Sequence, residues 1–256
     1  MDPYERVLAE PGSIAARRAL AAHWKAAGDP RGQLIEDSIA YREARREGRV
    51  SVFERLRDSI NNALRQHAKP WAGELAEFAS EDSYHLGLLA DLQIPGDRFP
   101  AIAEKVFRLA PIQHVSITAP LGSLPDLLAC DELRKLTSLS ISTHGADFGD
   151  SGAIAVAGCA RLAGVKWLAL AYDEIGESGV EALAASPFLA NVSYLGLDGN
   201  PCDPTPQVSD YDGEYVGSRP VIADELERKF GYRAWFAEPK APKNWPPKSR
   251  ELGITS

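Results

Sequence analysis

The chain of 256 residues lacks the features that mark several large classes of protein. No apolar run approaches the ~20 residues that a membrane-spanning helix requires, and no basic stretch followed by an apolar core opens the chain. Motifs of the types H-E-x-x-H, G-x-S-x-G and G-x-G-x-x-G are missing, and so is a P-loop. We therefore predict a cytoplasmic protein without a membrane span, a cofactor or a catalytic metal.

Cysteine is scarce, with three residues and no C-x-x-C pair among them. Cys130 and Cys159 lie 29 residues apart, at equivalent places in the repeats described below, where a small buried side chain suits the end of a helical segment. Helices stacked side by side are about 8–10 Å apart, which exceeds the comfortable reach of a disulfide bond. We therefore expect reduced structural thiols, including Cys202, rather than a disulfide or a metal site.

Positive charge is also in short supply, because 28 Lys and Arg residues stand against 36 Asp and Glu residues, a net charge of −8. No block of Lys or Arg stands out, so nucleic acids and anionic membranes are poor partners for this chain. The hydrophobic fraction of 45% and the charged fraction of 25% are typical of a folded globular protein. A protein partner with a basic patch fits the acidic balance, since opposite potentials favour encounter.

The chain does contain an internal repeat. Phe148-Gly-Asp-Ser-Gly152 and Ile175-Gly-Glu-Ser-Gly179 open two Ala-rich helical runs 27 residues apart, and the apolar runs 165–170 and 192–197 follow at the same spacing. A fixed period of this length is typical of a solenoid, in which strand-plus-helix units bury their apolar faces on one another. Five runs of the form L-x-x-L-x-L predict the strands, with last apolar residues Ile94, Ile117, Ile141, Leu170 and Leu197.

Helical patterns lie between these strands, over 99–109, 124–136, 151–162 and 178–189. The predicted fold class is therefore α/β, a solenoid with parallel strands on a concave face and helices on the convex face. The first 80 residues predict a small all-helical domain instead. Ser13 can cap a helix over 14–27, Asp29 and Pro30 can begin the next, and a helix over 53–67 should stop at Pro70.

The regular pattern ends after Asn200. Residues 201–220 combine Pro, Gly and Ser with acidic residues and predict an exposed acidic loop, and 221–229 return to a helical pattern. The aromatic stretch 232–236 predicts a short edge strand in a C-terminal cap, so that the solenoid would span 81–236. The Pro- and Lys-rich residues 237–256 predict an extended tail, in which Trp245 is suited to hold the segment to the protein or to a partner.

Two parts of the chain resemble known families. Leu195-Gly-Leu-Asp-Gly-Asn200 and Ile175-Gly-Glu-Ser-Gly-Val-Glu-Ala-Leu183 are similar to leucine-rich repeats of the ribonuclease-inhibitor type. Ala22-His-Trp-Lys-Ala-Ala-Gly-Asp-Pro-Arg-Gly-Gln-Leu-Ile35 resembles the bacterial repeat-companion domain that precedes such repeats. The resemblance, over about residues 4–200, implies a bacterial leucine-rich-repeat protein with a binding role. The sequence departs from the leucine-rich-repeat pattern after Ile117, Ile141 and Leu170, where the asparagine of that pattern is missing.

The strand residues between the apolar positions should face the open side of the sheet, where a partner would bind. Trp167 and Tyr194 would supply aromatic anchors, and small residues such as Ser116 and Gly196 would let a partner approach. The alternative is that the acidic loop or the cap covers both aromatic side chains. The predicted partner-binding residues are Asp91, His114, Ser138, Ser140, Lys166, Trp167, Tyr194, Asp198, Asp210 and Asp212.

Three other interpretations are weaker. A Ser–His pair that uses His114 would lie on a flat sheet without an oxyanion hole. Asp210, Asp212 and Glu214 lack the spacing of a calcium loop, so we expect solvated carboxylates. Capping explains the Gly28-Asp-Pro-Arg-Gly32 turn, so Arg31 needs no binding role.

The sequence therefore predicts a non-catalytic protein–protein interaction module, such as an adaptor, a regulatory subunit or a neutralising subunit. It would bind a protein through the concave face and the acidic loop. The alternative is a structural subunit of a larger hetero-complex that docks through the helical domain and the tail. A hydrolytic enzyme is the interpretation that we favour least.

Overall fold

A computed structural model describes residues 2–143, 148–204, 207–211, 214–218 and 221–237, with the backbone alone for 207–211, 214–218, Val221 and Ala237. These residues fall into two compact units. A helical unit comprises 2–93 and 104–113, and a sheet unit comprises 94–103 and 114–237. The helical unit thus extends past residue 80. His144, Asp212 and the tail beyond Ala237 lie outside the described residues.

Four helices and a short antiparallel hairpin build most of the helical unit. Leu20, Ile35, Ile39 and Leu88 belong to its buried core, as expected for amphipathic helices. The elements are α1 (Pro3–Ala9), α2 (Ile14–Ala26), α3 (Arg31–Arg46), α4 (Val50–Ala72), β1 (Tyr84–His85) and β2 (Leu88–Leu89).

Capping fixes the ends of the early helices. The Ser13 hydroxyl accepts a hydrogen bond from the Ala16 N–H (3.2 Å), as predicted for the start of α2. The Asp29 carboxylate accepts from the Arg31 N–H (2.9 Å) and forms an ion pair with the Arg31 guanidinium. That guanidinium lies 4.3 Å from the centroid of the Trp24 ring. The Arg31 side chain therefore connects the start of α3 with Trp24 of α2.

The end of α4 differs from the prediction. The helix continues through Pro70 to Ala72, and Gly73 follows with a φ of 55°. Proline removes the hydrogen bond to the carbonyl of Gln66, four residues earlier, but Gln66 is exposed and water can satisfy that carbonyl. The expected stop at Pro70 was wrong because a proline in an exposed last turn leaves no buried group unsatisfied.

The buried Arg17 connects three parts of the helical unit. Its Nη1 donates to the carbonyls of His85 (3.1 Å) and Leu86 (3.5 Å), and its Nη2 donates to the carbonyl of Pro11 (2.8 Å). Burial, with a smaller contribution from Arg42, lowers the pKa of Arg17 to about 10. Carbonyl dipoles stabilise the charge and tie the β1–β2 turn to the loop before α2.

A parallel sheet of five strands confirms the α/β class and the five predicted strands. Neighbouring strands of this sheet follow one another in the order of the sequence. Because every connection steps in the same direction and such crossovers are right-handed, the helices lie on one face of the sheet. The elements are β3 (Asp91–Pro95), α5 (Phe99–Leu109), β4 (His114–Thr118), α6 (Leu124–Ala129), β5 (Ser138–Ser142), α7 (Gly149–Ala157), β6 (Trp167–Ala169), α8 (Glu177–Ala185) and β7 (Tyr194–Gly196).

The region after Asn200 departs from the prediction in two places. The predicted acidic loop contains an antiparallel hairpin, β8 (Gln207–Tyr211) and β9 (Glu214–Ser218). The predicted edge strand at 232–236 is instead a short helix, α10 (Ala234–Ala237), which follows α9 (Val221–Phe230). Trp235 and Phe236 are both buried, whereas neighbouring residues of a strand point to opposite faces. Helix α9 packs beside α8, and α10 packs beside β7.

Hydrogen bonds connect successive repeat units, and they join residues that lie about 27 positions apart in the sequence. The Asp150 carboxylate accepts from the N–H groups of Gly176 (2.7 Å) and Gly179 (3.0 Å), and so caps α8. Asn200 Oδ1 accepts from the N–H groups of Asp173 and Ile175 (both 3.0 Å). Its Nδ2 donates to the carbonyls of Leu170 (2.6 Å) and Leu197 (2.9 Å).

Asp173 occupies the place of Asn200 one unit earlier, 27 residues before it. Its Oδ1 accepts from the backbone N–H and from the hydroxyl of Thr143, both at 2.8 Å. The Asp173 carboxylate thus accepts hydrogen bonds from the neighbouring unit, as the Asn200 side chain does one unit later. Cys159 and Ser186 also occupy equivalent positions in successive units. Each side chain donates to a backbone carbonyl of the preceding unit, Cys159 to that of Leu128 and Ser186 to that of Ala157.

Replacing Asn200 with Ala should destabilise the protein by about 2–6 kcal/mol, because four hydrogen bonds of about 0.5–1.5 kcal/mol each are lost. The matched control is Asn191→Ala, since the exposed Asn191 side chain makes a hydrogen bond to the Ala163 carbonyl and should cost less than about 1 kcal/mol. Denaturant unfolding measures both. Equal losses for the two variants would contradict a special role for Asn200.

Gly179→Ala should destabilise the protein by about 1–3 kcal/mol through overpacking. A Cβ at Gly179 would lie 2.7 Å from Asp150 Oδ1 and 2.7 Å from Ile175 Cγ2. Gly158→Ala is the control, because its Cβ would meet atoms at 3.6 Å, an ordinary contact, at the end of α7. Thermal unfolding should show a neutral or slightly stabilised Gly158→Ala, and a neutral Gly179→Ala would refute the tight contact between α7 and α8.

Candidate functional site

The face of the sheet opposite the helices carries two rows of side chains in register. Cα pairing places His114 beside Ser138, Ser138 beside Trp167, and Trp167 beside Tyr194, which we call the aromatic row. The next row out is Ser116, Ser140, Ala169 and Gly196, which we call the small row. Both rows agree with the strand alignment expected from the sequence.

At one end of the aromatic row, two serines hold the His114 ring. Nδ1 of His114 lies 2.6 Å from the Ser138 hydroxyl, and Nε2 lies 3.0 Å from the Ser116 hydroxyl. His114 and Ser138 are buried, at 7% and 2% exposure. The structure thus brings the side chains of His114, Ser116 and Ser138 together. Hydroxyls on both ring nitrogens fix the orientation of the imidazole.

At the other end, Trp167 and Tyr194 pack edge to face, with ring centroids 5.1 Å apart and planes at 79°. Trp167 is 5% exposed and Tyr194 is half-buried. A Cβ at Gly196 would lie 3.0 Å from the Tyr194 hydroxyl oxygen, so the tyrosine lies along its strand over the glycine. Trp167 therefore supports Tyr194 in this structure, and the Tyr194 ring is the more exposed of the two.

Beyond Tyr194, the ends of β6 and β7 bring aromatic and acidic side chains together. Tyr172 is 58% exposed, its N–H donates to the Asp198 carbonyl (2.9 Å), and its ring packs on Gly199. Burial, with the charges of Asp198 and Asp203, raises the pKa of Tyr194, so both carboxylates act on its hydroxyl. We call Tyr172, Tyr194, Asp198 and Asp203 the acidic corner.

Sequence reasoning missed Tyr172, although the repeat contains a signal for it. Tyr172 has a φ of 60°, in the left-handed region that non-glycine residues rarely adopt. Gly199, which lies 27 residues later at the equivalent position, has a φ of 74°. A tyrosine where the repeat favours glycine is held in a costly conformation, and such residues are candidates for function.

The other predicted site residues are more scattered. Ser140 is half-buried in the small row, and Asp198 is exposed in the acidic corner. Lys166 is exposed, and its backbone carbonyl accepts from the N–H and the hydroxyl of Ser193. Asp210 lies on β8, where the backbone alone is described, and Asp212 lies outside the described residues.

Asp91, on β3, is the predicted site residue with the most unusual acidity. Burial, with a smaller contribution from Asp82, raises the pKa of its carboxyl group to about 7. The Asp91 carboxyl group therefore changes charge near neutral pH.

Two features are absent from the described residues. Within that part of the chain, no group of three or more His, Cys, Asp or Glu side chains is placed to hold a metal ion. No helix among the described residues is both long and apolar enough to cross a membrane. The three cysteines are free, as expected for structural thiols.

Comparisons with protein-family models, with curated proteins and with solved structures gave no match to this chain.

Replacing Asp91 with Asn should flatten the pH dependence of stability between about pH 4 and pH 7. The pKa of Asp91 is higher in the folded state than in an unfolded chain, so its contribution is complete below the unfolded pKa and is lost as pH rises through about 7. Thermal unfolding should give similar midpoints for parent and variant at pH 4, and a higher midpoint for Asp91→Asn at pH 8. A variant less stable at pH 8 would contradict the raised pKa.

Proposed function

We propose that this chain is a bacterial leucine-rich-repeat protein with an N-terminal repeat-companion domain. Parallel strands in sequence order, in-register leucines and the side-chain bonding of Asn200 all support the proposal. So does the helical pattern of the first unit, which contains the Gly-Asp-Pro-Arg-Gly turn. On this view, Asp173 is a variant of the asparagine that such repeats place after the strand.

Its function, we propose, is to bind a protein, without catalysis and in the cytoplasm, as an adaptor, regulatory subunit or neutralising subunit. The acidic corner is the observation that carries this proposal. Tyr172 exposes most of its ring beside the exposed Asp198, and Tyr194 adds a second aromatic surface held in place by Trp167. Exposed aromatic side chains on a rigid support are the typical anchors of protein interfaces.

The chemistry of the corner favours a basic partner. A Lys or Arg side chain can lie against a tyrosine ring while it pairs with a carboxylate, so Tyr172 and Asp198 together suit one cation. The small row next to it offers Ser140 and Ala169, where a backbone can approach the sheet closely. We therefore propose a partner that presents an extended segment containing Lys or Arg.

Capture of a partner from a bacterial lysate, with identification by mass spectrometry, tests the proposal. The captured protein should bind Tyr172→Ala and Asp198→Lys at least about tenfold more weakly, the effect of losing ~1.4 kcal/mol at an anchor. Raising the salt concentration should weaken binding to the parent chain, because the charges are exposed.

Matched controls come from exposed residues elsewhere on the chain. Tyr232→Ala removes a tyrosine that is 63% exposed, and Glu104→Lys makes the same kind of charge reversal on the exposed face of α5. Both should bind like the parent chain. Equal losses in these controls and in the corner variants would mean that the acidic corner is not the binding site.

A further inference from the structure

The turn between α3 and α4 exposes an apolar residue among arginines. Val50, the first residue of α4, is 56% exposed, and it follows Gly48, which has a φ of 71°, and the half-exposed Arg49. Arg46, the last residue of α3, is also exposed. We call residues 46–50 the basic tip. One exposed valine is ordinary on a protein surface, so the argument for a contact depends on the charges around it.

The charges at the basic tip are opposite to the balance of the whole chain. Residues 42–50 contain four arginines and two glutamates, which gives +2 in a chain with a net charge of −8. Glu47 pairs with Arg49 (2.8 Å), whereas Arg46 forms no ion pair within the part of the chain that the structure describes. The tip therefore presents positive charge on both sides of the exposed valine.

The start of α4 adds to this positive charge. Arg49 occupies the position just before the helix, where a side chain that accepts hydrogen bonds is favoured, and its side chain caps no backbone group. The first turn of α4 also contains no acidic residue, although the partial positive charge of a helix N-terminus favours one. Carboxylates that come from outside this turn are therefore stabilised at the basic tip.

A groove between α8 and α9 has the opposite character. Its volume is about 400 Å³, and the buried Leu226 and half-buried Ile222 give it an apolar floor. Glu177 of α8 and Glu225 of α9 line it, are exposed, and form no ion pair with described residues. The other lining residues are Glu181, Arg228 and Lys229. Three acidic and two basic side chains give the lining a net charge of −1, and the Glu181–Lys229 ion pair (2.6 Å) leaves Glu177 and Glu225 available.

The two compact units differ in charge in the same sense. Residues 94–103 and 114–237, the sheet unit, contain 9 Lys and Arg against 18 Asp and Glu, which gives −9. Residues 1–93 and 104–113 contain 15 against 16, which gives −1. A basic surface on the nearly neutral unit is thus complementary to the sheet unit of another molecule, and opposite potentials favour encounter and fix the register of a contact.

We propose that the basic tip of one copy of this chain docks in the α8–α9 groove of a second copy. Val50 packs on Ile222 and Leu226, which removes its apolar surface from water. The two arginines of the tip pair with the two available glutamates of the groove, and guanidinium groups suit carboxylates in geometry as well as in charge. Val50 is exposed in the single chain, so this contact joins two copies.

The tip and the groove are different surfaces, so the contact leaves one of each free on every pair. Copies therefore add head to tail, and the association continues until a ring closes or the concentration limits it. The contact is small, so we expect weak association that depends on concentration. No outside partner takes part, and the acidic corner is not used, so the proposal is independent of the proposed function.

The test is sedimentation velocity of the full-length chain between about 5 and about 500 µM, because contacts below the standard interface size are weak. The parent should form dimers and then larger species as concentration rises. The tip variant combines Arg46→Glu with Arg49→Asp, and the groove variant combines Glu177→Gln with Glu225→Lys. Each variant alone should associate at least about tenfold more weakly, since attractive charge pairs are removed or reversed. Aspartate is a favoured cap at position 49, so the tip variant should stay folded.

A mixture of the two variants tests the proposed geometry directly. The tip variant keeps an intact groove and the groove variant keeps an intact tip, so an equimolar mixture should form a dimer that grows no further. The matched control, Arg65→Glu with Arg108→Glu, changes the net charge as much as the tip variant does, at exposed sites elsewhere, and should associate like the parent.

Three results would overturn the proposal. The first is a parent chain that stays monomeric at the highest concentration, and the second is an equimolar mixture that forms no dimer. The third is a parent chain that stays monomeric but binds a peptide of ten glutamates that the tip variant does not bind. That result would assign the basic tip to an acidic partner other than this chain.

Discussion

The constraint on which the rest of the sheet unit depends is that each strand-plus-helix unit satisfies backbone groups of its neighbour. Asp150 caps the helix that begins at Glu177, Asp173 holds Thr143, and Asn200 bonds to backbone groups of Leu170, Asp173 and Ile175. These bonds join residues about one repeat apart, so an insertion or deletion within a unit would separate donors from acceptors. A buried polar group left without a partner costs about 1–3 kcal/mol, which explains why the spacing of 27 residues is kept here.

The same constraint sets the character of the face opposite the helices. In-register strands bring residues of one row side by side, so a polar or aromatic residue finds its partner on the next strand rather than along its own. His114 meets Ser138 in this way, and Trp167 meets Tyr194. The row is thus a supported surface whose side chains are already ordered. A partner that binds there meets a lower entropic cost than it would on a mobile loop.

Much of the fold could be predicted from the sequence, because strand alignment depends on apolar spacing that survives without tertiary context. Leu139, Leu168 and Leu195 align as their spacing indicated, and α5 covers the expected residues. The errors lie where local pattern and burial disagree. The aromatic stretch before Ala237 resembles a strand, but burial of both Trp235 and Phe236 favours a helix. The β8–β9 hairpin had a signal in Asp212-Gly213, a pair that hairpin turns favour, which the acidic composition concealed.

The candidate site was less predictable, since exposure depends on what lies over a face and not on the face itself. Strand alternation led to the prediction of Trp167 as an exposed anchor, but the side chain is only 5% exposed in the structure. Alternation along one strand does not determine that exposure. Gly196 and Tyr172 are informative because the stacking of leucines requires neither of them. Gly196 lets the Tyr194 ring lie flat along its strand. Tyr172 has a left-handed φ at a position where the next repeat has glycine. Because core packing explains neither residue, an interpretation based on apolar spacing could not single them out, and only the folded structure brings them together at one corner.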